Sequence, residues 1–473
     1  MTPGILVDRG SPIPLARQLE TALRSAILSG RLAPGERLLS SREFQTHLGL
    51  SRNTIVNALA QLHAEGYLHV ERGVGTFVAA HLRRLREQTR DTDAPPVAPS
   101  ARAARDLEAR ELAVNLQRTA PFRPGMPALD LFPASQFRRA FKAEAWVTGL
   151  LDYGSPSGYV PLREAIATRL GQTRGIVCDA DDVIITNGAQ AAFTLIARVL
   201  LEPGDVAIVE DPGYSNIRSV LLSQGARVFS VPVDEDGIVV ASFQKRRAKV
   251  TCVTPSHQYP SGAVLSLERR FALLGWAAKH DGWIVEDDYD SEFNYTGRPQ
   301  PALQGLDGGG RVIYVGTFSK VLSPGLRIAY IVVPRALHDA FEAANAVGAG
   351  APSAMLQAAL ARFIASGSLG RHVTKMRGVY DERRRFVRDE LLASARSQCD
   401  IRDSKAGLHF IALLPKKVPD VRVSARAAER GLILPALSSY YYGTPPRNGL
   451  VIGYAATSIP DAKAAIRALV ELL

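Results

Sequence analysis

Short runs of β-branched and aliphatic residues alternate with longer helical patterns through the middle of this 473-residue chain. Alternation of this kind favours an α/β fold built around a mostly parallel sheet, because a crossover between parallel strands needs room for a helix. Two of the intervening patterns predict helices over Ala189–Leu201 and Leu267–His280. The predicted strands are Val183–Thr186, Val206–Glu210, Arg227–Val231, Val250–Thr254, Trp283–Glu286, Val312–Gly316 and Ile328–Val333.

The C-terminal part of the chain follows a different order of elements. A long helix is predicted over Gly370–Leu392, and strands are predicted at Leu408–Leu413 and Leu450–Tyr454. A helix followed by separate strands is typical of an α+β arrangement. We therefore expect a smaller α+β lobe over about residues 370–473, packed on the large α/β unit.

A change of composition separates a short N-terminal unit from this C-terminal one. Residues 83–110 mix charges of both signs with a stretch, PPVAPS, that has no apolar periodicity. Such a segment is typical of an interdomain linker, here with helical potential at its charged ends. The sequence predicts an N-terminal domain over residues 1–80, a linker over 81–112 and a C-terminal domain over 113–473.

The N-terminal unit has the pattern of a helix, two short helices joined by a glycine turn, and a hairpin. Ser40 and Glu43 have the spacing of a capping box at the start of the second helix. Gly49 marks the turn, and Ser51 is the predicted N-cap of the third helix. Strand-like residues then flank a tight turn at Arg72–Gly75. This order is that of a winged helix-turn-helix, whose recognition helix enters the major groove of DNA.

Five residues of this unit are candidates for contacts with DNA. Arg52, Asn53 and Thr54 lie in the first turn of the recognition helix, and Arg pairs well with guanine and Asn with adenine. Arg42, at the start of the preceding helix, is placed to hold a phosphate, and Arg72, at the hairpin tip, to reach the minor groove. A small helical subdomain with ordinary surface arginines remains the alternative, because this unit carries eight Arg and six Asp or Glu, a net charge of only +2.

Residues with cofactor chemistry follow the predicted strands of the C-terminal unit. Lys320 closes the segment GTFSK, and Arg327 lies seven residues further on. Carboxylates cluster at 286–290, and residues 187–190 open a helix whose free amides attract anions. Pyridoxal phosphate requires a lysine for a Schiff base, a carboxylate at its pyridine nitrogen and a phosphate site. Each feature alone is also common on an ordinary surface, but their order and spacing favour one site at the carboxyl ends of the strands.

Composition limits the other possibilities. The net charge of +11 is compatible with an anionic partner such as nucleic acid. The three cysteines are far apart, which argues against disulfides and thiolate zinc sites and favours a reducing compartment, and no metal site is predicted. The N-terminus has no signal-peptide pattern, and no uncharged apolar run approaches the length of a transmembrane helix. We therefore expect a soluble, cytoplasmic protein with no membrane partner.

Two stretches of the chain resemble known families. Residues 12–78 resemble the winged helix of the GntR superfamily through GRLAPGERLLSSR, SRNTIVNAL and GVGTFV, although Leu39 stands where proline is usual. Residues 115–473 resemble a fold-type I aminotransferase domain. The whole chain is thus similar to the MocR subfamily of transcription regulators. The segments that carry the second resemblance are FRPGMPALDLFP, YGSPSGYVPLREAIATRL, TNGAQAAF, EDPGY, PSHQYPSG, EDDYDSEF and GTFSKVLSPGLRIAY.

The resemblance implies which residues bind pyridoxal 5'-phosphate. Lys320 is the catalytic lysine of the internal aldimine, Asp287 pairs with the pyridine nitrogen, and Tyr289 reaches the phenolic oxygen. Tyr259 replaces the asparagine that commonly precedes the proline, with His257 two residues earlier, and either of the two faces the cofactor. Tyr214 stacks on the ring, and Tyr153 reaches the phosphate of the neighbouring subunit in a head-to-tail homodimer. The other implied contacts to the phosphate come from Arg327, Thr317 or Ser319, Gly188, Ala189 and Gln190.

The residue that would recognise an acidic group on a bound amine is less defined. Many aminotransferases carry an arginine on a strand near the C-terminus, but the corresponding strand here contains none. Arg447, just upstream, is the nearest candidate, and Tyr442 is a candidate to line the same pocket. A loop arginine and a packing tyrosine are the alternatives.

Two functions fit these expectations. The first is a pyridoxal phosphate-dependent transcription regulator that binds double-stranded operator DNA and responds to an amino compound by forming an external aldimine at Lys320. The second is an aminotransferase with an appended DNA-binding module. The fused winged helix and the missing strand arginine favour regulation, with transamination as a side activity left open. The complete set of Lys320, Asp287, Tyr289 and Arg327 argues against a vestigial scaffold.

Overall fold

The computed structural model describes residues 5–81, 100–112, 120–144, 147–296, 301–348, 350–395, 397–403 and 405–473. The chain forms two compact units, Met1–Ala98 and Pro99–Leu473. The predicted linker lies partly outside the described residues, and the domain boundaries at 80 and 113 stay predictions.

The N-terminal unit contains three helices and a two-stranded antiparallel hairpin. Gly30, in the left-handed conformation, ends the first helix. The Ser40 side chain accepts from the Glu43 amide while the Glu43 carboxylate accepts from the Ser40 amide, so the capping box is formed. The Ser51 side chain caps the third helix by accepting from the Thr54 amide. The elements are α1 (Leu15–Ser29), α2 (Ser41–Leu48), α3 (Arg52–Ala64), β1 (Leu68–Glu71) and β2 (Gly75–Val78).

The C-terminal unit is built on an eight-stranded mixed sheet. Its strand order is β3-β10-β9-β8-β7-β4-β5-β6, and β10 runs antiparallel to both of its neighbours. All seven predicted strands are present, with ends that differ from the prediction by at most three residues. The strands are β3 (Val183–Thr186), β4 (Val206–Asp211), β5 (Arg227–Asp234), β6 (Gly237–Ile238), β7 (Val250–Val253), β8 (Trp283–Asp288), β9 (Val312–Thr317) and β10 (Ala329–Val332).

Helices cover both faces of this sheet. Val183 and Ile185 of β3 belong to one buried cluster, and Ile184 between them belongs to another. Burial on both faces is what a mainly parallel sheet requires. The helices of this part are α4 (Ala101–Leu112), α5 (Ala134–Glu144), α6 (Val160–Arg174), α7 (Ala189–Leu200), α8 (Ser215–Ser223), α9 (Leu267–His280), α10 (His338–Val347) and α11 (Ala354–Ala365).

The small lobe packs helices on a three-stranded antiparallel sheet, and it contains more of the chain than predicted. Phe122 and Ala128 lie in its core. The Phe122 amide donates to Thr457 Oγ1 at 2.9 Å, and the Gly453 amide donates to the Phe122 carbonyl at 2.8 Å. The elements are α12 (Ser368–Ala395), β11 (Asp400–Arg402), β12 (His409–Leu414), α13 (Asp420–Glu429), β13 (Asn448–Gly453) and α14 (Ile459–Val470).

Helix α4 falls within the segment predicted as linker and packs along α8. Arg105 Nε donates to the Ser223 carbonyl at 3.3 Å, across the two helices. No helix among the described residues is both long and apolar enough to cross a membrane.

Candidate cofactor site and nucleic-acid interface

Lys320 lies just after β9, at the carboxyl edge of the sheet. Its Nζ donates to the Gly125 carbonyl at 2.8 Å. Gly125 has φ +69°, and an ideal Cβ there would lie 3.3 Å from that nitrogen, so glycine leaves room for the amine. Burial lowers the pKa of the Lys320 ammonium, against the opposing effects of Asp290 and Asp287. A lowered pKa favours the neutral amine, which is the nucleophilic form.

Asp287, near the end of β8, is a buried carboxylate that lacks a cationic hydrogen-bond partner. It is 6% exposed, and none of the described residues donates a hydrogen bond to it. Burial and the neighbouring Asp288 raise its pKa to about 8, although Lys320 opposes the change. A buried carboxylate is costly unless a cation faces it. A protonated pyridine nitrogen is therefore a fitting partner at this position.

An anion site lies beside the lysine, where α7 begins. Arg327 Nη2 donates to the Asn187 carbonyl at 3.2 Å. Gly188, the N-cap, has φ +84°, and an ideal Cβ there would lie 3.2 Å from Arg327 Cζ. Glycine thus lets the guanidinium approach the helix end, where the first amides have no intrahelical acceptor. In the segment that leads to Lys320, Thr317 Oγ1 and Ser319 Oγ are 3.0 Å apart. These groups fit a phosphate.

Tyrosines form one wall of the site. Tyr214 is the N-cap residue of α8, and its hydroxyl accepts from Asn216 Nδ2 at 2.9 Å. Burial raises the pKa of Tyr214 to about 12, and Asp287 adds to the effect while Arg327 opposes it. Its ring meets the Tyr259 ring edge-on at 5.7 Å. The structure thus brings Tyr214 into the same site as the carboxylate and the phosphate cradle.

His257 belongs to a buried network that holds Tyr289. Its Nδ1 lies 3.0 Å from Asp290 Oδ2 and 3.1 Å from the Tyr289 hydroxyl. The same hydroxyl donates to the His257 carbonyl at 2.9 Å. His409 adds a third potential metal ligand within 4.8 Å, but the carboxylate and the His257 imidazole already satisfy each other. Tyr259 instead bonds to the Tyr440 hydroxyl at 2.9 Å. Which of His257 and Tyr259 faces the cofactor stays a prediction.

Arg447 and Tyr153 do not lie beside Lys320 of the same chain, and both assignments stay predictions, that of Tyr153 because it concerns the phosphate of a neighbouring subunit. Arg447 is exposed in the turn before β13, at the opposite end from Gly453, which packs against the loop of Gly125. Arg447 and Gly453 are six residues apart on an extended strand, so they lie roughly 20 Å from each other. Tyr153 is fully exposed in this single chain. Tyr442 lies nearer, since its amide donates to Asp211 Oδ1 at the end of β4 at 3.1 Å.

Sequence reasoning missed Arg123 as a residue of the site. It precedes Gly125 by two residues, and burial lowers the pKa of its guanidinium. Its charge contributes to the lowered pKa of Lys320. An ideal Cβ on Gly453 would lie 2.2 Å from the Arg123 carbonyl oxygen, so the end of β13 fixes this loop. The only signal in the sequence was its place in FRPGMP.

The candidate DNA contacts lie on the surface of the N-terminal unit. Arg42, Arg52, Asn53 and Arg72 are exposed, whereas the Thr54 hydroxyl is 2.7 Å from Ser51 Oγ and is partly engaged in capping α3. A cation not singled out from the sequence lies at the wing as well, because an ideal Cβ on Gly75 would be 2.8 Å from the Nε of Arg37.

The fold and the site together define a class: a winged helix-turn-helix joined to an aminotransferase fold with residues for pyridoxal phosphate. The family of bacterial regulatory proteins, gntR family, matches residues 15–78, and aminotransferase class I and II matches residues 131–469. The chain belongs to the MocR-type GntR transcription regulators. The predicted fold class and the choice of regulator over aminotransferase are confirmed, and the family implies dependence on pyridoxal phosphate.

Relatives along nearly the whole chain support this assignment. The chain is 38% identical to the probable rhizopine catabolism regulatory protein MocR of Rhizobium meliloti, over 95% of this chain and 92% of the relative. It is 34% identical to the pyridoxine biosynthesis transcriptional regulator PdxR of Corynebacterium glutamicum, over 95% and 94%. Among solved structures, LysN, an α-aminoadipate aminotransferase from Thermus thermophilus complexed with N-(5'-phosphopyridoxyl)-L-leucine, matches with a TM-score of 0.71 and 28% identity, over 79% of this chain and 97% of that chain.

Proposed function

We propose that this regulator binds operator DNA as a head-to-tail homodimer and responds to a primary amine through pyridoxal phosphate held at Lys320. The observation that carries the proposal is the buried carboxylate of Asp287, which lacks a hydrogen-bond donor among the described residues. It faces the amine-bearing loop in a site that also has a phosphate cradle. A buried, unpaired carboxylate destabilises a protein without cofactor, whereas opposite a protonated pyridine it stabilises the bound cofactor.

Each residue has a role toward the cofactor, whose aldehyde, when bound, reacts reversibly with primary amines. Lys320 supplies the resident amine, and Asp287 keeps the pyridine nitrogen protonated. Arg327 and the first amides of α7 hold the phosphate. Tyr214 covers the ring. Tyr289, whose hydroxyl donates to the His257 carbonyl in the structure, would turn that O–H from the carbonyl to the phenolic oxygen of the cofactor.

Exposed apolar residues support the dimer. Val147, Leu151, Tyr153 and Val160 are all more than two-fifths exposed. Three of them, all but Leu151, line a surface cavity of about 310 Å³. In a head-to-tail dimer this face is covered, and Tyr153 reaches the phosphate site of the other subunit. Two winged helices then match two half-sites of an operator, and the regulator acts in the cytoplasm, where that DNA is.

The test has two parts that use the full chain. The purified protein should have the visible absorbance of bound pyridoxal phosphate, and borohydride should trap the cofactor covalently. Lys320→Ala should lose the trapped product, whereas Lys279→Ala, a change at an exposed lysine of α9, should keep it. Titration of a labelled operator with and without amines that change the absorbance then tests regulation. A colourless protein that takes up no added cofactor would sink the cofactor claim. If no such amine alters operator binding or transcription, the response fails as well.

A further inference from the structure

Helix α8 contacts the cofactor site, the small lobe and α4, a helix near the start of the C-terminal unit. We propose that α8 is the element by which the amine site controls the DNA-binding unit, with Arg218 and Arg105 as its two positioning residues. This inference rests on the proposed function and deepens it, because it names the regulatory route out of that same site.

The N-terminal end of α8 belongs to the cofactor site. Tyr214, the N-cap residue, contributes the ring that covers the cofactor, and Asn216 in the first turn donates to its hydroxyl at 2.9 Å. A movement of the ring when an amine enters therefore acts directly on the first turn of the helix. No loop intervenes between the two.

The middle of α8 contacts the small lobe. The Arg218 guanidinium lies over the Tyr442 ring, 4.6 Å from its centroid. Tyr442 stands in the segment that leads into β13, and burial raises the pKa of its hydroxyl. A second contact joins the same two segments, because the Gly213 amide donates to the Tyr440 carbonyl at 3.2 Å. A small lobe that closes on a ligand, as lobes commonly do, thus carries Arg218 with it.

The C-terminal end of α8 contacts the helix that leads to the DNA-binding unit. The Ser223 carbonyl accepts from Arg105 Nε of α4 at 3.3 Å, and the two helices pack along each other. In the chain, residues 82–99 connect α4 to the winged helix. Charge helps this contact, because the last carbonyls of a helix attract a cation.

A single helix of nine residues therefore links three elements. It is roughly 14 Å long. Ile217, Val220 and Leu221 are buried in the core of the large lobe. A packed helix of this kind shifts as a unit, so a displacement at Tyr214 or Tyr442 appears at Ser223.

The experiment compares binding in five full-length proteins: wild type, Arg105→Ala, Arg218→Ala, Arg218→Lys and the control Arg102→Ala. Arg102 is an exposed arginine on the same helix as Arg105. The operator dissociation constant is measured by fluorescence anisotropy with and without a saturating amine that changes the cofactor absorbance. The dissociation constant of the amine is measured separately, from that absorbance, with and without operator. Thermal melting and gel filtration verify the fold and the oligomeric state of each variant.

Wild type and Arg102→Ala should show the same amine-induced change in operator affinity, within the range of about 5–150-fold that allosteric coupling usually spans. In Arg105→Ala the change should fall to less than twofold, while operator affinity without amine and amine affinity without operator stay within twofold of wild type. Because coupling is reciprocal, the effect of operator on amine affinity should fall by the same factor. Arg218→Ala should lose the response too, and Arg218→Lys, which keeps the charge without the planar group, should not restore it.

A second readout does not depend on DNA. Amine binding should change hydrogen–deuterium exchange in α4 of the wild type, and Arg218→Ala should abolish that change. If Arg105→Ala and Arg218→Ala keep the full response while wild type responds, the route through α8 is wrong and the proposed function stands. If wild type binds cofactor and operator but its operator affinity does not respond to any amine, the proposed function is wrong, and this inference is then wrong as well.

Discussion

Replacement of Asp287 by asparagine tests the electrostatics of the site without any cofactor present. Asparagine has nearly the same shape as aspartate but no charge. In the cofactor-free protein, burial and Asp288 raise the pKa of Asp287 to about 8, from an ordinary value of 3.8. Between these two pH values the folded protein holds a proton on this carboxyl, while the unfolded chain has released it.

The sign of the effect follows from this difference in bound protons. Where the native state binds more protons, a rise in pH favours the unfolded state. Asp287 therefore stabilises the cofactor-free fold fully below about pH 4, and this contribution is lost as the pH rises through about 8. Each pH unit corresponds to about 1.4 kcal/mol. Between pH 5 and pH 8 the wild type should lose on the order of 4 kcal/mol that Asp287→Asn does not lose.

Urea unfolding at pH 5 and pH 8, followed by tryptophan fluorescence, measures this difference. All three tryptophans, Trp146, Trp276 and Trp283, lie in the C-terminal unit, so the signal reports on that unit alone. Buried groups that do not interact with Asp287 titrate alike in both proteins, so their contributions cancel in the comparison. Asp236→Asn, a change at an exposed carboxylate, is the control. The reasoning is refuted if the unfolding free energies of wild type and Asp287→Asn change in parallel between the two pH values.

Four further variants test other parts of the structure. Gly188→Ala should weaken binding of pyridoxal phosphate, because its Cβ would lie 3.2 Å from Arg327 Cζ at a φ of +84°; unchanged affinity in a cofactor titration would contradict the cradle. Asn53→Ala should weaken operator binding by about 1–3 kcal/mol through one base pair, whereas Arg42→Ala should weaken binding to all sequences evenly and lower the salt dependence of binding. If the two variants have the same affinity profile across an operator library, these roles are contradicted. Gly453→Ala should destabilise the C-terminal unit by about 1–3 kcal/mol, since its Cβ would meet a backbone oxygen at 2.2 Å; an unshifted urea midpoint would count against this.

The elements that could be predicted from the sequence are those set by local patterns. Helix α9 has the predicted bounds, Leu267–His280, because its apolar spacing and the left-handed Asp281 after it are local features. The capping box of α2 is local in the same sense. The convergence of Lys320, Asp287 and the start of α7 was predictable for a different reason, since strands that run in one direction end at one edge of the sheet.

The features that were missed depend on contacts between distant parts of the chain. A strand that is buried on both faces has the same apolar pattern in either direction, so the antiparallel direction of β10 could not be predicted from its residues. Phe122 reads as an isolated aromatic residue until the small lobe surrounds it. The role of Arg447 stays a prediction, because this arginine was chosen for its short sequence distance to β13 and the structure places it at the end of that strand away from Gly453.

The small lobe contains residues from near the start and near the end of the C-terminal unit, and this affects when the lobe can fold during synthesis. Phe122 and Thr457, joined by a hydrogen bond, are 335 residues apart in the chain. At about 5–20 residues per second, a ribosome needs roughly 17–67 s to deliver the second partner after the first. The winged helix, whose contacts are short in sequence, emerges first and has no need to wait. Each nascent regulator thus passes through a period in which its winged helix can fold while its aminotransferase-like unit is unfinished.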